Sequence, residues 1–444
     1  MKATIIGGGS YGWAPGFVRQ FIESKHLTDL RVTLMDIDPE ALALVAKVVD
    51  VFKRAGNSPL PVETTTDLDR ALDGADFVLV CISTGGLDTM KHDIEIPERY
   101  GIRHTVGDTV GPGGWSRAVR NVPVFHRIGE RMKALCPDAW MINVSNPLTI
   151  LTRVPHRCFG LKSVGMCPGV EGHVRSLTRL AGLGAEGRLD YTVTGIDHGS
   201  FLTALFADGV DVLARLKQEG FYRSDDRLPG TMTSEDPLSA TFGSRAVFAA
   251  WRELGVMPAI NDRHAVENWP WFLAGESDRL GFRLKRTTIA ERWEWRRAAR
   301  ARLEKFIESG EMGSLGHGDD PVVTVIECLS GHRSFLWGSN FPNIGQIPQL
   351  PPGAVVETRC HFDAAGVHPL VSPMPEVVRI LVEPHVLRQE AIIDIALHGS
   401  LDELVALVST DPLCCRLPIG KAREMVREML QANRAYIPNV RLLE

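Results

Sequence analysis

Over the first 170 residues, the apolar and polar positions sort into short buried strands separated by amphipathic stretches. Residues 3–6 are an apolar, β-branched run that stops at glycine, the pattern of a parallel strand covered on both faces. Residues 17–23 have helical spacing, and residues 30–35 alternate as a second strand that ends on Asp36. Pro39 opens a helix over residues 40–53, and residues 77–82 form a third apolar strand. A helix is predicted over 121–135 and a strand over 139–143, followed by the loop Val144-Ser145-Asn146-Pro147. Residues 162–166 read as a further strand, ending on Cys167. Strands that alternate with helices predict an α/β fold with a doubly wound parallel sheet of Rossmann type, here in residues 1–170. Beyond that the pattern loosens. A strand over 189–194 precedes Gly195, then come a helix-rich stretch with clustered tryptophans, a Pro/Gly/Asn-rich segment at 341–353 and two C-terminal helices. Residues 171–444 are therefore expected to form a second, mixed α+β domain.

Composition narrows the class. A chain of 444 residues is too long for one compact core, which agrees with two packed domains. A hydrophobic share of 44% and a charged share of 23% exclude a disordered or fibrous protein. A formal net charge of -5 does not attract polyphosphate backbones, so no nucleic-acid partner is expected. The opening Met1-Lys2-Ala3-Thr4-Ile5-Ile6 runs into glycines after too few apolar residues for a signal peptide, and no window approaches a membrane span. The eight cysteines include no CxxC pair, and the adjacent Cys414 and Cys415 are poor disulfide partners. Together these features predict a cytoplasmic protein with reduced thiols and no membrane partner.

The first candidate chemistry lies at the end of the first strand. Gly7, Gly9 and Gly12, with Ser10 among them, fit G-x-G-x-x-G between a strand and a helix. The first glycine permits a tight turn, the second lets the backbone approach a pyrophosphate, and the third allows close helix–strand packing. Asp36 closes the second strand where an acid reaches ribose hydroxyls and repels a 2′-phosphate, which favours NAD over NADP. The plainer reading is a glycine turn that binds no dinucleotide.

Other polar residues gather near strand ends. Cys167 and His198 each follow a strand, and thiolate with imidazole suits a borderline divalent metal in an incomplete, catalytic coordination sphere. From spacing alone, a buried thiol and a hydrogen-bonded histidine are the plainer reading. Asp262-Arg263-His264 beside Glu267 supplies a base and a carboxylate or hydroxyl clamp, or else a surface ion-pair cluster. The segment from Gly107 to Gly114 reads as a mobile polar loop carrying Asp108, either closing over a substrate or simply connecting. Asn143 and Asn146 flank a strand-end loop, to meet sugar hydroxyls or to cap the turn.

In order along the chain, these segments resemble glycoside hydrolase family 4. The resemblance covers the glycine loop, Leu34-Met35-Asp36-Ile37-Asp38, Gly107-Asp108-Thr109, Gly113-Gly114, Arg120 and Pro123. It continues through Asn143-Val144-Ser145-Asn146-Pro147, Gly165-Met166-Cys167, Gly195-Ile196-Asp197-His198, Asn343-Ile344-Gly345-Gln346-Ile347, Leu350-Pro351 and Asp411-Pro412-Leu413. It implies a fold similar to lactate and malate dehydrogenases, and a glycosidase that uses NAD and a divalent metal, usually manganese, rather than two carboxylates. The implied route is oxidation at sugar C3, deprotonation at C2 with Lewis-acid help, elimination of the aglycone, water addition at C1 and return of the hydride. By position the resemblance implies Cys167 and His198 as metal ligands, Asn146 as a contact to sugar hydroxyls, and Gly7, Gly9, Ser10, Gly12, Asp36 and Asn143 at the cofactor. Residues 171–444 then carry substrate, metal and oligomer contacts, and a homodimer or homotetramer is expected, with the tryptophan-rich stretch 269–295 as interface.

Two departures from the family pattern bear on mechanism. Pro168 follows the cysteine where the family has a proton donor, and Asp197 precedes His198 where the family has Asn. Asp197, Glu171 and His173 are candidates for the displaced acid, and Asp108 is a further catalytic candidate. No tyrosine lies between Tyr222 and Tyr436, so Asp262 is the candidate C2 base, with Arg263 and His264 as substrate contacts. The pattern is similar to the branch acting on unphosphorylated α-glycosides or uronides. Two alternatives stay open: an NAD-dependent sugar or 2-hydroxy acid dehydrogenase, and a non-catalytic protein that binds NAD or sugar.

Overall fold

The structure, a computed structural model, describes residues 1–224, 228, 243–311, 315 and 321–444. Its strands in chain order are β1 (Lys2–Ile6), β2 (Arg31–Met35), β3 (Val62–Thr65), β4 (Phe77–Val80), β5 (Trp140–Asn143), β6 (Lys162–Met166), β7 (Leu189–Thr194), β8 (Phe201–Ala207), β9 (Val210–Asp211), β10 (Met257–Pro258), β11 (Phe335–Pro342), β12 (Val355–Asp363) and β13 (Gly366–Pro369). Among the described residues the main sheet has nine strands in the order β13-β12-β11-β6-β5-β4-β1-β2-β3. The six strands β1 to β6 are parallel and run 3-2-1-4-5-6, the order of a dinucleotide-binding sheet. The order reverses between β1 and β4, and all five residues of β1 are buried there, as its unbroken apolar run requires.

The chain then returns to this sheet. β11 pairs antiparallel with β6 through Ser339 opposite Met166 and Asn340 opposite Gly165, and β12 and β13 follow as antiparallel neighbours. A second sheet is built from β7, β8, β9 and β10. A bridge from Gly195 to Glu357 joins the end of β7 to β12. One face of the main sheet is covered by the helices Gly111–Leu135 and Leu148–Phe159, and outside them by the C-terminal helices Glu376–His398, Leu401–Ser409 and Ile419–Ala432. The other face is covered by the helices Ala14–Glu23, Pro39–Ala55 and Val322–Leu329. A third apolar core fills the second sheet and the helices around it.

The structure alters some expected elements. The helix foreseen at 121–135 begins at Gly111, so half of the expected mobile loop 107–114 is its first turn. The rest of that loop is buried except for the half-buried Asp108, and it is tightly packed: a Cβ on Gly113 would stand 2.5 Å from the Gly107 carbonyl oxygen. The helix Gly86–Arg99 was hidden because its buried face includes polar residues, Thr89 and Asp93. Asp93 is balanced by Arg120 at 2.6 Å, with both side chains fully enclosed.

Candidate active site

The parallel strands point their carboxyl ends toward one crevice, and the candidate residues arrive there from several loops. Cys167 follows β6, and its Sγ lies 3.6 Å from His198 Nε2. His198 sits in the turn between β7 and β8 with φ of 61°, a left-handed conformation that costs a non-glycine residue about 1 kcal/mol or more and is typical of functional turns. Cys167, Asp197 and His198 each offer a ligand atom within 4.8 Å of the others, and so do Asp108, His198 and His264. The two groups share His198, and the His264 ring stacks on it with centroids 3.7 Å apart.

Hydrogen bonding fixes which histidine nitrogen is available. Thr109 Oγ1 donates to Asp108 Oδ1 at 2.8 Å, because a carboxylate can only accept. The same hydroxyl oxygen lies 2.8 Å from His198 Nδ1 and must therefore accept the Nδ1 proton. Nε2 is left with its lone pair toward Cys167, the tautomer a metal ligand needs. Burial lowers His198 to about 4, and it lowers His264 well below its ordinary range with the His198 ring adding to the effect. Both rings are neutral near neutral pH.

The acids diverge. Burial opposes ionisation of Asp108, but the charges around it, with Arg117 and Arg292 the permanent ones, hold it far below the usual carboxylate range. Burial and the neighbouring Glu357 and Asp108 push Asp197 well above that range. His264 Nδ1 is buried without a hydrogen-bond partner among the described residues, and the Asp197 carboxyl is buried beside Cys167 and His198, so the polar atoms of this cluster face a space that a ligand would complete. Sulfur, imidazole and carboxylate donors together fit a borderline divalent metal.

Other candidates are placed as follows. Asn146 Nδ2 donates to Asp108 Oδ2 at 3.2 Å, which brings Asn146 to the same cluster. Asn143 is fully buried, and its amide group is engaged by Ser145, Leu148 and Thr152, so it shapes the loop. Asp262 lies outside both ligand groups: it is buried and accepts the Val247 amide at 2.9 Å, two residues before His264. Glu171 accepts from the Tyr191 hydroxyl, and His173 is hydrogen-bonded to the Pro258 backbone, so neither joins a ligand group. The Asp262-Arg263-His264 segment is buried rather than a surface ion-pair cluster, and Glu267 accepts the amides of Thr105, Val106 and Gly107. Glu267 thus holds the Asp108 loop in place.

Three arginines, of which sequence reasoning identified only Arg263, surround Asp108. Arg117 donates to the Asn146 carbonyl, Arg292 to the Val106 carbonyl and Arg263 to Thr287. None has a carboxylate within 4.0 Å among the described residues. Arg117 falls between the segments read as a loop (107–114) and a helix (121–135), and neither it nor Arg292 carries a motif.

The glycine loop adjoins this crevice. Gly7 has φ of 97°, and a Cβ there would stand 2.4 Å from the Cys81 carbonyl oxygen. The Gly9 amide donates to Asp36 Oδ2 at 2.9 Å, so the acid lies beside the loop as a ribose contact requires. Gly12 differs from expectation: a Cβ there meets nothing within 4 Å, because the helix starts at Ala14 and the close strand contact is made by Gly8 against Leu34. Ser10 lies in the turn, its amide bonded to the Gly7 carbonyl. The loop is a cradle that side chains would fill, in keeping with a bound dinucleotide.

Comparison with known proteins agrees with this arrangement. Residues 2–183 match the model of family 4 glycosyl hydrolases, and residues 193–414 match that of the family 4 C-terminal domain. The chain is 30% identical to an alpha-galacturonidase of Bacillus subtilis, covering 97% of each chain. It is 31% identical to an alpha-galacturonidase of Thermoanaerobacterium saccharolyticum, covering 98% of this chain and 96% of the relative. A Bacillus subtilis structure described as that of a glucosidase superposes with a TM-score of 0.87 at 29% identity, over 97% of this chain and 99% of the other. A 6-phospho-beta-glucosidase of Thermotoga maritima, solved with manganese, NAD+ and glucose-6-phosphate, gives 0.78 at 20% identity over 98% and 99%. Malate dehydrogenase of Plasmodium falciparum shares the fold with a TM-score of 0.52 at 14% identity, over 89% and 98%.

Proposed function

The chain belongs to glycosyl hydrolase family 4, and on that premise we propose that it is an NAD- and divalent-metal-dependent glycosidase acting on unphosphorylated α-uronides. The observation that carries this reading is the donor set around His198, with Cys167 and Asp197 on one side and Asp108 and His264 on the other. A two-carboxylate glycosidase has no use for a thiol and two stacked imidazoles at its centre.

When bound, NAD would supply reversible hydride acceptance at sugar C3, and a divalent cation such as Mn2+ would supply Lewis-acid polarisation of the sugar hydroxyls. Cys167 and His198 would hold the cation, with Thr109 fixing the His198 tautomer. Asp108, kept ionised by its cationic neighbours, is placed to take the C2 proton. Asn146, tethered to Asp108, orients a sugar hydroxyl. Loss of the C2 proton lets the bond between C1 and the glycosidic oxygen break. Asp197 retains its proton and is assigned to protonate that oxygen, which Pro168 cannot do. Asp262 acts through His264 as a positioning residue, since its carboxylate ties that turn to the helix Arg245–Leu254. Water then adds at C1 while Asp108 returns a proton, exchanged with solvent, to C2.

The uronide assignment is supported by Arg117, Arg263 and Arg292, whose planar forks match a carboxylate and which have no carboxylate at ion-pair distance among the described residues. The galacturonidase relatives point to the same substrate class. The test is p-nitrophenyl α-galacturonide with Mn2+ and NAD+. Nitrophenol release without net NADH is expected. Stoichiometric NADH would identify a dehydrogenase, and tight NAD binding without turnover on any glycoside would identify a binding protein.

A further inference from the structure

The helix Ile289–Ser309 buries little of itself. Only Leu303 and Phe306 are buried, packed against Val48, Val51 and Phe52 of the helix Pro39–Ala55. It also packs on the helix Gly86–Arg99, and Arg292, in its first turn, is bonded to the Val106 carbonyl. The helix therefore spans the gap between the helix that follows β2 and the helix that follows β4. Beneath that span lie the two loops where the strand order reverses, the glycine loop after β1 and the loop that leads to Gly86 after β4.

Arg296 projects from this span. Its guanidinium carbon lies 5.7 Å from the centroid of the Tyr11 ring, in the glycine loop. One of its terminal nitrogens lies 3.9 Å from where a Cβ on Gly86 would stand. Arg300, one turn on, is paired with Glu304 at 2.9 Å, whereas Arg296 has no ion pair among the described residues. Its contacts are the rings of Tyr11 and Trp293, which place the charge without neutralising it.

We propose that Arg296 is the counter-charge of the dinucleotide's diphosphate, supplied across the crevice by a helix outside the Rossmann unit. In this sheet type the diphosphate rests over the glycine loop and is held mainly by backbone amides and the helix N-terminus. Here a side chain closes the open side, so the same helix contacts the cofactor through Arg296 and the Asp108 loop through Arg292. The inference rests on the NAD reading of the glycine loop.

The test is calorimetric binding of NAD+, ADP and adenosine to the full-length protein, without substrate. Arg296→Gln is expected to weaken NAD+ and ADP by at least about tenfold, which is about 1.4 kcal/mol. Adenosine, which lacks the diphosphate, keeps its wild-type affinity. Arg296→Lys keeps most of the NAD+ affinity, and Arg297→Gln, which removes a charge one residue on, stays within about twofold of wild type. Unchanged NAD+ and ADP affinity in Arg296→Gln overturns the proposal, as does an equal loss for adenosine. A wild-type protein that binds no NAD+ overturns the dinucleotide reading together with it, so the two failures are distinguishable.

Discussion

At the scale of single residues, function turns on a few hydrogen bonds that decide protonation. Thr109 accepts from His198 Nδ1 and donates to Asp108, so one hydroxyl sets both the ligand tautomer and the orientation of an acid. Thr109→Val should weaken Mn2+ binding by about 10- to 100-fold in a titration while NAD+ affinity stays unchanged. Cys167→Ser and His198→Ala should lose more metal than that, measured as content after dialysis, again with NAD+ retained because the glycine loop is a separate element. Arg263→Gln should raise KM for an α-galacturonide by about tenfold or more and leave a neutral α-galactoside within about twofold, as loss of a charged hydrogen bond predicts. Equal effects on both substrates would remove the carboxylate role. At this scale the sequence was partly legible. Cys167, His198, Asp108, Asn146 and Asp197 were recognisable because each follows a strand or glycine turn, and strand ends converge. Arg292 and Glu357 were not, because they reach the site from segments far along the chain with no motif around them. Asp262 looked reactive by its neighbours, yet its partner is the Val247 amide.

At the scale of elements, strongly periodic segments were legible and irregular ones were not. The strands expected at 162–166 and 189–194 match Lys162–Met166 and Leu189–Thr194 residue for residue. The helix Gly111–Leu135 was foreseen only from residue 121, because Gly111, Gly113 and Gly114 disguise its first turns while permitting contact with the Gly107 and Thr109 backbone. The strands β11 to β13 escaped detection because their pairing depends on a return to β6 that no local pattern announces. The helix Ile289–Ser309 gives the clearest test at this scale. With two buried side chains it depends on its ends, and Thr288 and Glu291 form a capping box at its start. Thr288→Ala should destabilise the protein by about 1 kcal/mol in denaturant unfolding. Phe306→Ala, which removes the ring packed 4.8 Å from Phe52, should cost about 3–5 kcal/mol or detach the helix and weaken NAD+ binding with it. Wild-type stability and NAD+ affinity in both variants would show that the helix carries no load across the crevice.

At the scale of the whole molecule, burial of ionisable groups sets the pH response. Burial lowers His104 and His173 to about 4 and His385 to about 3, from an ordinary value of 6.5. The unfolded chain therefore binds more protons below pH 6.5, and the stability these neutral rings contribute is lost as pH falls from 6.5 toward 4. Burial raises Glu357 from 4.5 to about 7, which works the other way: its contribution is full below pH 4.5 and is lost as pH rises through 7. Because the two sets oppose each other between pH 7 and pH 5, the acid is tested by its own variant: Glu357→Gln should gain Tm relative to wild type at pH 8 but not at pH 5. The same Tm difference at both pH values would contradict the buried acid. No described helix is long and apolar enough to cross a membrane, and the strand order brings the glycine loop after β1 and the Cys167 loop after β6 to the same edge of one sheet. The central claim is that the crevice there removes a proton from sugar C2 during hydrolysis. The direct measurement is hydrolysis of an α-galacturonide in D2O with Mn2+ and NAD+, followed by NMR of the released sugar. Deuterium at C2, with no net NADH and none of the label in the Cys167→Ser variant, is the predicted result. Released sugar that keeps its original hydrogen at C2 would contradict the account.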